Sequence, residues 1–241
     1  MRVLALDTTT AGGSVALVDD ADLIAERCGD PSRPHAERLP AEILALVASA
    51  GATIGSIDLF AVACGPGSFT GLRIGIATMQ GLAFVGDRPM AAVSALEALA
   101  QIGGIDARPA TFVGAWMDAH RREVFSALYR VAGAQPFEPE RLAEIEAAAV
   151  GDPVATIARW GRDVDYATAI FIGDGATLYA EVIRRAAGAD ARIVDAPPLA
   201  ATIGRLAAAR ARQGAMMKPS AIRPLYVRRP DAEIARARQN S

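Results

Sequence analysis

Two aspartates in matching settings are the first residues able to do chemistry. Asp7 closes an apolar run, residues 2–7, and opens the hydroxyl-rich turn Thr8, Thr9, Thr10; Asp118 closes a second apolar run, residues 111–118, just before a short polar turn. Carboxylates at two strand ends can orient Mg²⁺ and water, and glycine turns let backbone N–H groups approach phosphate oxygens. Two such turns are present, Gly65 and Gly67 in CGPGSF and Gly173 and Gly175 in IGDGA. Asp7, Thr8, Thr9, Gly65, Gly67, Asp118, Gly173 and Gly175 therefore form a candidate nucleotide-binding set of vestigial character. A P-loop needs Lys and then Ser or Thr directly after its last glycine, whereas Leu72 and Arg73 follow Gly71; Gly65, Gly67 and Gly71 are spaced GxGxxxG, not GxGxxG. Ala119 follows Asp118, not the glycine and hydroxyl pattern that phosphate turns favour. Glycines that only shape strand-to-helix turns, beside an ordinary Thr-rich hairpin, would use the same residues.

Composition removes other chemistries. Lys218 is the single lysine among 25 basic residues and lies in a proline-flanked stretch, so lysine-dependent mechanisms are nearly excluded. His35 and His120 are the only histidines, and Cys28 and Cys64 lie in or beside predicted strands without ligand spacing. No bound metal is expected, and both thiols read as buried. With 52% hydrophobic residues in 241, the chain can bury the core of one large domain or two small ones. Arg73 interrupts the longest apolar stretch, and Asp7 falls where a signal-peptide core would form. No membrane span and a cytoplasmic location are the expectation. The net charge of −2 is unevenly divided, since residues 205–241 hold nine basic and two acidic side chains, a local +7 that leaves −9 elsewhere. A basic tail on an acidic body reads as a solvated end or as a contact for an anionic partner.

The elements that must position these residues are organised around residues 59–85. Residues 59–64 are apolar and uncharged, as in a strand covered on both faces, which implies a parallel or mixed sheet. The turn at Gly65, Pro66 and Gly67 ends that strand, Ser68 or Thr70 can cap a helix, and the pattern stays apolar to Val85. Ahead of it, residues 2–7, 14–19 and 23–28 read as antiparallel strands and residues 39–50 as an amphipathic helix. Behind it come a strand near 90–93 and a helix from Ser94, completing βββαβαβα. A first strand ending in Asp before a hydroxyl-rich turn resembles the opening of actin, Hsp70 and sugar kinases. LALDTTTAGGSVAL and AWMDAHRREVFSAL then repeat one strand, Asp, turn, strand unit. The prediction is a duplicated α/β two-lobe fold of the actin/Hsp70/sugar-kinase (ASKHA, RNase H-like) type. Residues 1–103 plus about 198–216 form one lobe, 104–197 the other, and 217–241 a partly mobile C-terminal extension. After the strand ending at Val131, the Ala- and Glu-rich sequence to about Trp160 is less regular.

With both halves laid out, the sequence resembles the TsaB (YeaZ) family of tRNA threonylcarbamoyladenosine subunits. The likeness rests on LALDTTT, HAERLP, GPGSFTGLRIGIATMQGLA, VSALEALA, MDAHRREVF, GDGA and PLYVR, and covers most of the chain. It implies a paralogue of the catalytic subunit TsaD, whose metal is held by two histidines in VNHMEGH. Here Ala95 and Leu99 stand at those two positions and Glu97 remains between them. The resemblance therefore implies a non-catalytic subunit without its own metal or cofactor. It would form a heterodimer with a TsaD-like paralogue, meet a TsaE-like ATPase and tRNA through the complex, where ATP has a place, and self-associate as a homodimer when isolated. The alternative is a free-standing ATP-binding phosphotransferase or hydrolase of the same fold; a metalloprotease lacks any HExxH.

The partner surface implied by the resemblance falls on the two apolar helices. Leu39, Ile43, Leu46 and Val47 on the first, with Gly71, Ile74, Gly75, Thr78, Met79 and Leu82 on the second, are the expected contacts. Each glycine inside the second helix costs roughly 1 kcal/mol relative to Ala, and close approach of another backbone would offset that. Burial of the glycine face against the chain's own sheet is the competing reading.

Overall fold

The structure, a computed structural model, describes residues 1–162 and 164–228. The first lobe runs β1 (Arg2–Asp7), β2 (Ser14–Asp19), β3 (Asp22–Cys28), α1 (His35–Ser49), β4 (Leu59–Gly65), α2 (Phe69–Val85), β5 (Met90–Ser94) and α3 (Ala95–Gly103). The second repeats it with β6 (Phe112–Asp118), β7 (Val124–Val131), β8 (Leu142–Gly151), α4 (Pro153–Trp160), β9 (Ile170–Ile172), α5 (Asp174–Leu178), α6 (Ala180–Ala187) and β10 (Arg192–Val194), before α7 (Ala200–Arg212). The sheet orders are β3-β2-β1-β4-β5 and β10-β9-β6-β7-β8. In each sheet an antiparallel three-strand meander is extended on its first strand by two parallel strands, so the duplication predicted from the two Asp turns is present strand for strand.

Strand β8 and helix α4 fill the stretch expected to be less regular. Strand β8 is rich in Ala and Glu, both weak strand formers, and is an outer strand, half-buried to exposed along its length. Pairing with β7 holds it despite its composition.

One apolar core lies between the sheets. It joins Val3, Ala5 and Val18 of the first sheet to Val113, Ala115 and Ile172 of the second through Leu96 and Leu99 of α3 and Ile203 and Leu206 of α7. Helix α7 lies on β1, β2, β4 and β5, with Gly204 letting its backbone close on Ala5 and Val18. Helices α1 and α2 cover the opposite face of the first sheet, where Leu39, Ile43, Leu46 and Val47 meet Leu4, Leu6, Phe60 and Met79. Each fully buried Leu or Ile there contributes about 1.5–3 kcal/mol. From 229 onward the expected mobile extension lies outside the described residues; residues 217–226 pack back on the first lobe, and Arg228 reaches Ala119 and Glu123 of the second. No helix among the described residues is long and apolar enough to cross a membrane. Cys64 is half-buried and its thiol pushed up to about 11 by burial. Cys28, expected to be buried, is exposed at the end of the edge strand β3.

Candidate functional site

The two aspartate turns are linked through Asp174, which is bonded to Asp118 and whose charge reaches Asp7. Asp7 is buried at the end of β1, where Thr9 donates to its Oδ1 twice, from the backbone N–H at 2.9 Å and the hydroxyl at 2.7 Å. Asp118 ends β6 at the equivalent place and accepts the His120 backbone N–H at 2.8 Å. Its own N–H donates to Asp174 Oδ1 at 3.1 Å, and the Gly175 N–H donates to the same oxygen at 2.8 Å. Burial pushes both the Asp7 and Asp174 carboxyls up, against the hydrogen bonds they accept. The charge of Asp174 adds to the shift of Asp7, and that of Asp118 to the shift of Asp174. Among the described residues no three such side chains converge as metal ligands.

These groups do not fit a nucleotide phosphate. The Thr9 hydroxyl and N–H are spent on Asp7, the Gly175 N–H on Asp174, and the Gly173 N–H on the Val194 carbonyl. A Cβ at Gly67 would lie 2.5 Å from Thr9, and one at Gly173, where φ is +123°, would lie 1.9 Å from the Trp116 carbonyl oxygen. A Cβ at Gly65 would lie 2.8 Å from the Leu225 carbonyl oxygen. The glycines thus let the chain's own segments close on one another, and the predicted phosphate turns are filled from within.

The first turn is braced from behind by a cage that sequence reasoning missed. His35 Nε2 donates to the Thr10 carbonyl at 2.9 Å, so its Nδ1 is the acceptor for Arg38 Nη2 at 2.8 Å. Buried Arg38 also donates to the Ala11 carbonyl at 3.0 Å, to the Gly12 carbonyl, and to Glu42 Oε2 at 2.6 Å. The HAERLP stretch is therefore a structural clamp on the turn. Asp174, taken only as part of a turn, is the other missed residue; its signal was a carboxylate set between the two glycines of a strand-to-helix junction.

The predicted partner residues are corrected by the packing of α2. Gly71 and Gly75 face Thr8, with a Cβ at either position landing 2.2 Å from a Thr8 oxygen. Met79 and the four α1 residues Leu39, Ile43, Leu46 and Val47 are buried in the first lobe's own core, and Ile74, Thr78 and Leu82 are half-buried. The outward faces instead carry Ala41, Leu44, Ala45 and Ala48 on α1 and Thr70, Arg73, Ala77, Gly81, Phe84 and Val85 on α2. Leu44 is 57%, Phe84 81% and Val85 89% exposed. An apolar helix reads alike on every side, so its period could not tell the two faces apart.

The basic C-terminal region is also different from expectation. Arg210 Nη2 donates to both Glu97 carboxylate oxygens at 2.6 Å, Arg212 pairs with Glu138 at 2.8 Å, and Arg228 pairs with Glu123. Those arginines fasten α7 and the following segment to the body and are not a free basic surface. The remainder of the tail, including Arg236 and Arg238, lies outside the described residues. Ala95 and Leu99 are buried in the inter-sheet core.

Two sheets of one topology, each led by an Asp turn and enclosing a shared helical core, define a duplicated ASKHA-type α/β protein. Component A of the Acidaminococcus fermentans (R)-2-hydroxyglutaryl-CoA dehydratase has this fold, at a TM-score of 0.52 and 11% identity over 88% of this chain and 99% of that one. YeaZ from Pseudomonas aeruginosa is far nearer, with a TM-score of 0.73 and 30% identity over 93% of this chain and 99% of that one. The tRNA threonylcarbamoyladenosine biosynthesis protein TsaB of Escherichia coli K12 is 41% identical over 132 residues, 54% of this chain and 55% of that protein. The chain thus spans about half the length of the curated relatives it matches. Residues 30–236 match the family described as TsaD, tRNA N6-adenosine threonylcarbamoyltransferase. The chain belongs to that family, in its TsaB (YeaZ) branch.

Proposed function

We propose that the chain is a non-catalytic partner subunit in tRNA threonylcarbamoyladenosine synthesis. It holds a TsaD-like catalytic paralogue against the outer faces of α1 and α2, and reaches a TsaE-like ATPase and tRNA through that complex, in the cytoplasm. The observation that carries the reading is the uncovered apolar face formed by Leu44, Ala45 and Ala48 with Ala77, Gly81, Phe84 and Val85. Exposed apolar side chains grouped on two neighbouring helices are what a protein partner covers. Without the paralogue, the same face can pair with itself about a two-fold axis as a homodimer. The filled phosphate turns, and Ala95 and Leu99 buried where the catalytic relatives' ligands would stand, support the absence of turnover by this chain alone.

The test is a pull-down from native extract combined with an ATPase assay on the pure protein. Recovery of a paralogue carrying the two-histidine motif, with no ATP turnover by the isolated chain, is expected. Robust hydrolysis by the pure chain would favour the free-standing phosphotransferase or hydrolase, in which Asp7 and Asp118 would serve Mg²⁺-nucleotide.

A further inference from the structure

The exposed edge of α2 carries a guanidinium already oriented for a partner. Arg73 Nε donates to the Tyr226 hydroxyl at 2.9 Å, and its guanidinium carbon sits 3.9 Å above the centre of the Phe69 ring. Phe69 and Tyr226 stack with ring centres 5.1 Å apart. One edge of the fork is tied down and its plane is fixed, while no hydrogen bond or ion pair among the described residues uses either Nη atom. Beside it opens a groove of about 260 Å³ with apolar walls from Ile76, Ala77, Ile222 and Pro224. Arg223 lines the same groove, and among the described residues its guanidinium meets only the backbone carbonyls of Ser220 and Ile222, at 2.5 and 2.9 Å. Among the described residues no acidic side chain is in the lining. This contrasts with Arg210, Arg212 and Arg228, each matched to a glutamate of the same chain.

A planar guanidinium held by stacking and one hydrogen bond is suited to a carboxylate, which it can grip with two parallel N–H groups. We propose that this groove receives a carboxylate side chain from an acidic segment of the protein partner, gripped by Arg73 and Arg223, at the border of the α1–α2 contact face. The inference rests on the partner reading above and gives that contact its charged edge. Nucleic acid is the poorer match. A phosphate backbone needs a track of cations, whereas the groove offers two, walled by aliphatic side chains and continuous through Ala77 with an apolar helix face. Two cations at the rim of an apolar patch instead supply orientation and register to a protein contact.

The test is calorimetric titration of the full chain with the recombinant TsaD-like paralogue of the same genome, at low and high salt. Wild-type affinity should fall as salt rises. Arg73→Glu and Arg223→Glu should each weaken binding about 10- to 100-fold and remove most of that salt dependence, and Tyr226→Phe should weaken it several-fold by freeing the fork. If Arg73→Glu fails to fold, Arg223→Glu on the separate C-terminal segment carries the same prediction. Gly81→Trp serves as the reference, because a side chain there meets nothing within 4 Å in the chain and projects into the contact face. Loss of binding in Gly81→Trp with both arginine variants at wild-type affinity and salt dependence overturns the groove and leaves the partner reading standing. Absent binding by wild type, or unchanged binding in all three variants, overturns both. Unchanged paralogue affinity with reduced tRNA binding by the assembled complex would reassign the groove to nucleic acid and overturn the proposal.

Discussion

Thr8 occupies the space that a side chain at Gly75 would need, since a Cβ built there would lie 2.2 Å from Thr8 Oγ1. Thr8 is fully buried and its hydroxyl has no hydrogen-bond partner among the described residues, so the contact is one of shape. Gly75 thus exists to let α2 close on the β1–β2 turn. Gly75→Leu should destabilise the chain by about 1–3 kcal/mol or more through overpacking, despite the better helix propensity of Leu. Gly81→Ala, with open space around it, should stabilise by about 0.5–1 kcal/mol. Urea titrations of the two variants and of Thr8→Ala/Gly75→Ala against its single mutants decide it: additive singles in that cycle would refute the contact.

Arg38 is the residue on which the first turn leans. Arg38→Ala removes donors to the Ala11 and Gly12 carbonyls, to His35 and to Glu42 at once. A loss of about 3 kcal/mol is expected, with faster amide exchange at residues 8–13 than in β4. Equal exchange in both places would mean the cage does not control the turn.

How legible this was in the sequence depended on whether a residue type has one use or several. Asp7 and Asp118, each ending an apolar strand before a polar turn, disclosed the duplication, because few arrangements place that unit twice. The faces of α2 were not legible: with Ile74, Ile76, Leu82 and Phe84 spread around it, only three-dimensional packing separates Gly75, against Thr8, from Gly81, in solvent. Strand β8 was hidden by its composition. Arg73 was visible only as an interruption of an apolar run, since Tyr226, which orients it, is 153 residues away. The resemblance pointed to α1 and α2 and could not say which side of them is exposed.

The Asp7 and Asp174 carboxylates make stability depend on pH in a direction opposite to the usual buried ion pair. Burial raises the folded-state pKa of Asp7 and Asp174 above 3.8, so above that value the folded chain holds more protons than the unfolded one. Their contribution is most favourable below 3.8 and declines as pH rises through the folded values. Asp7→Asn should therefore gain stability relative to wild type from about pH 4 upward, and Asp174→Asn likewise. Denaturant midpoints measured across pH check this. Variant and wild-type curves that stay parallel would show that neither carboxylate is held protonated by burial.

The start of α3 is where the resemblance places the two histidines of the catalytic relatives. Ala95 and Leu99 stand at those positions, and in this chain both are buried in the apolar core between the sheets. Leu99 reaches Gly173, with its Cδ1 3.3 Å from where a Cβ of that glycine would sit, so α3 is packed directly on the second lobe's GDG turn. Glu97 on the same helix is engaged by both 2.6 Å contacts of Arg210, which also donates to the Ala92 carbonyl at 3.0 Å. The position is thus a packed and ion-paired seam between α3, α7 and the second sheet. Ala95→His combined with Leu99→His should not restore metal binding. The larger Ala95 replacement overpacks the core, and both imidazoles bury polar nitrogens without partners, at a combined cost of at least about 3 kcal/mol. The double variant should melt well below wild type and retain no stoichiometric zinc or iron after dialysis. A folded double variant that holds one metal per chain would show that the seam is a cavity able to open, and that only the two side chains separate this chain from its catalytic relatives.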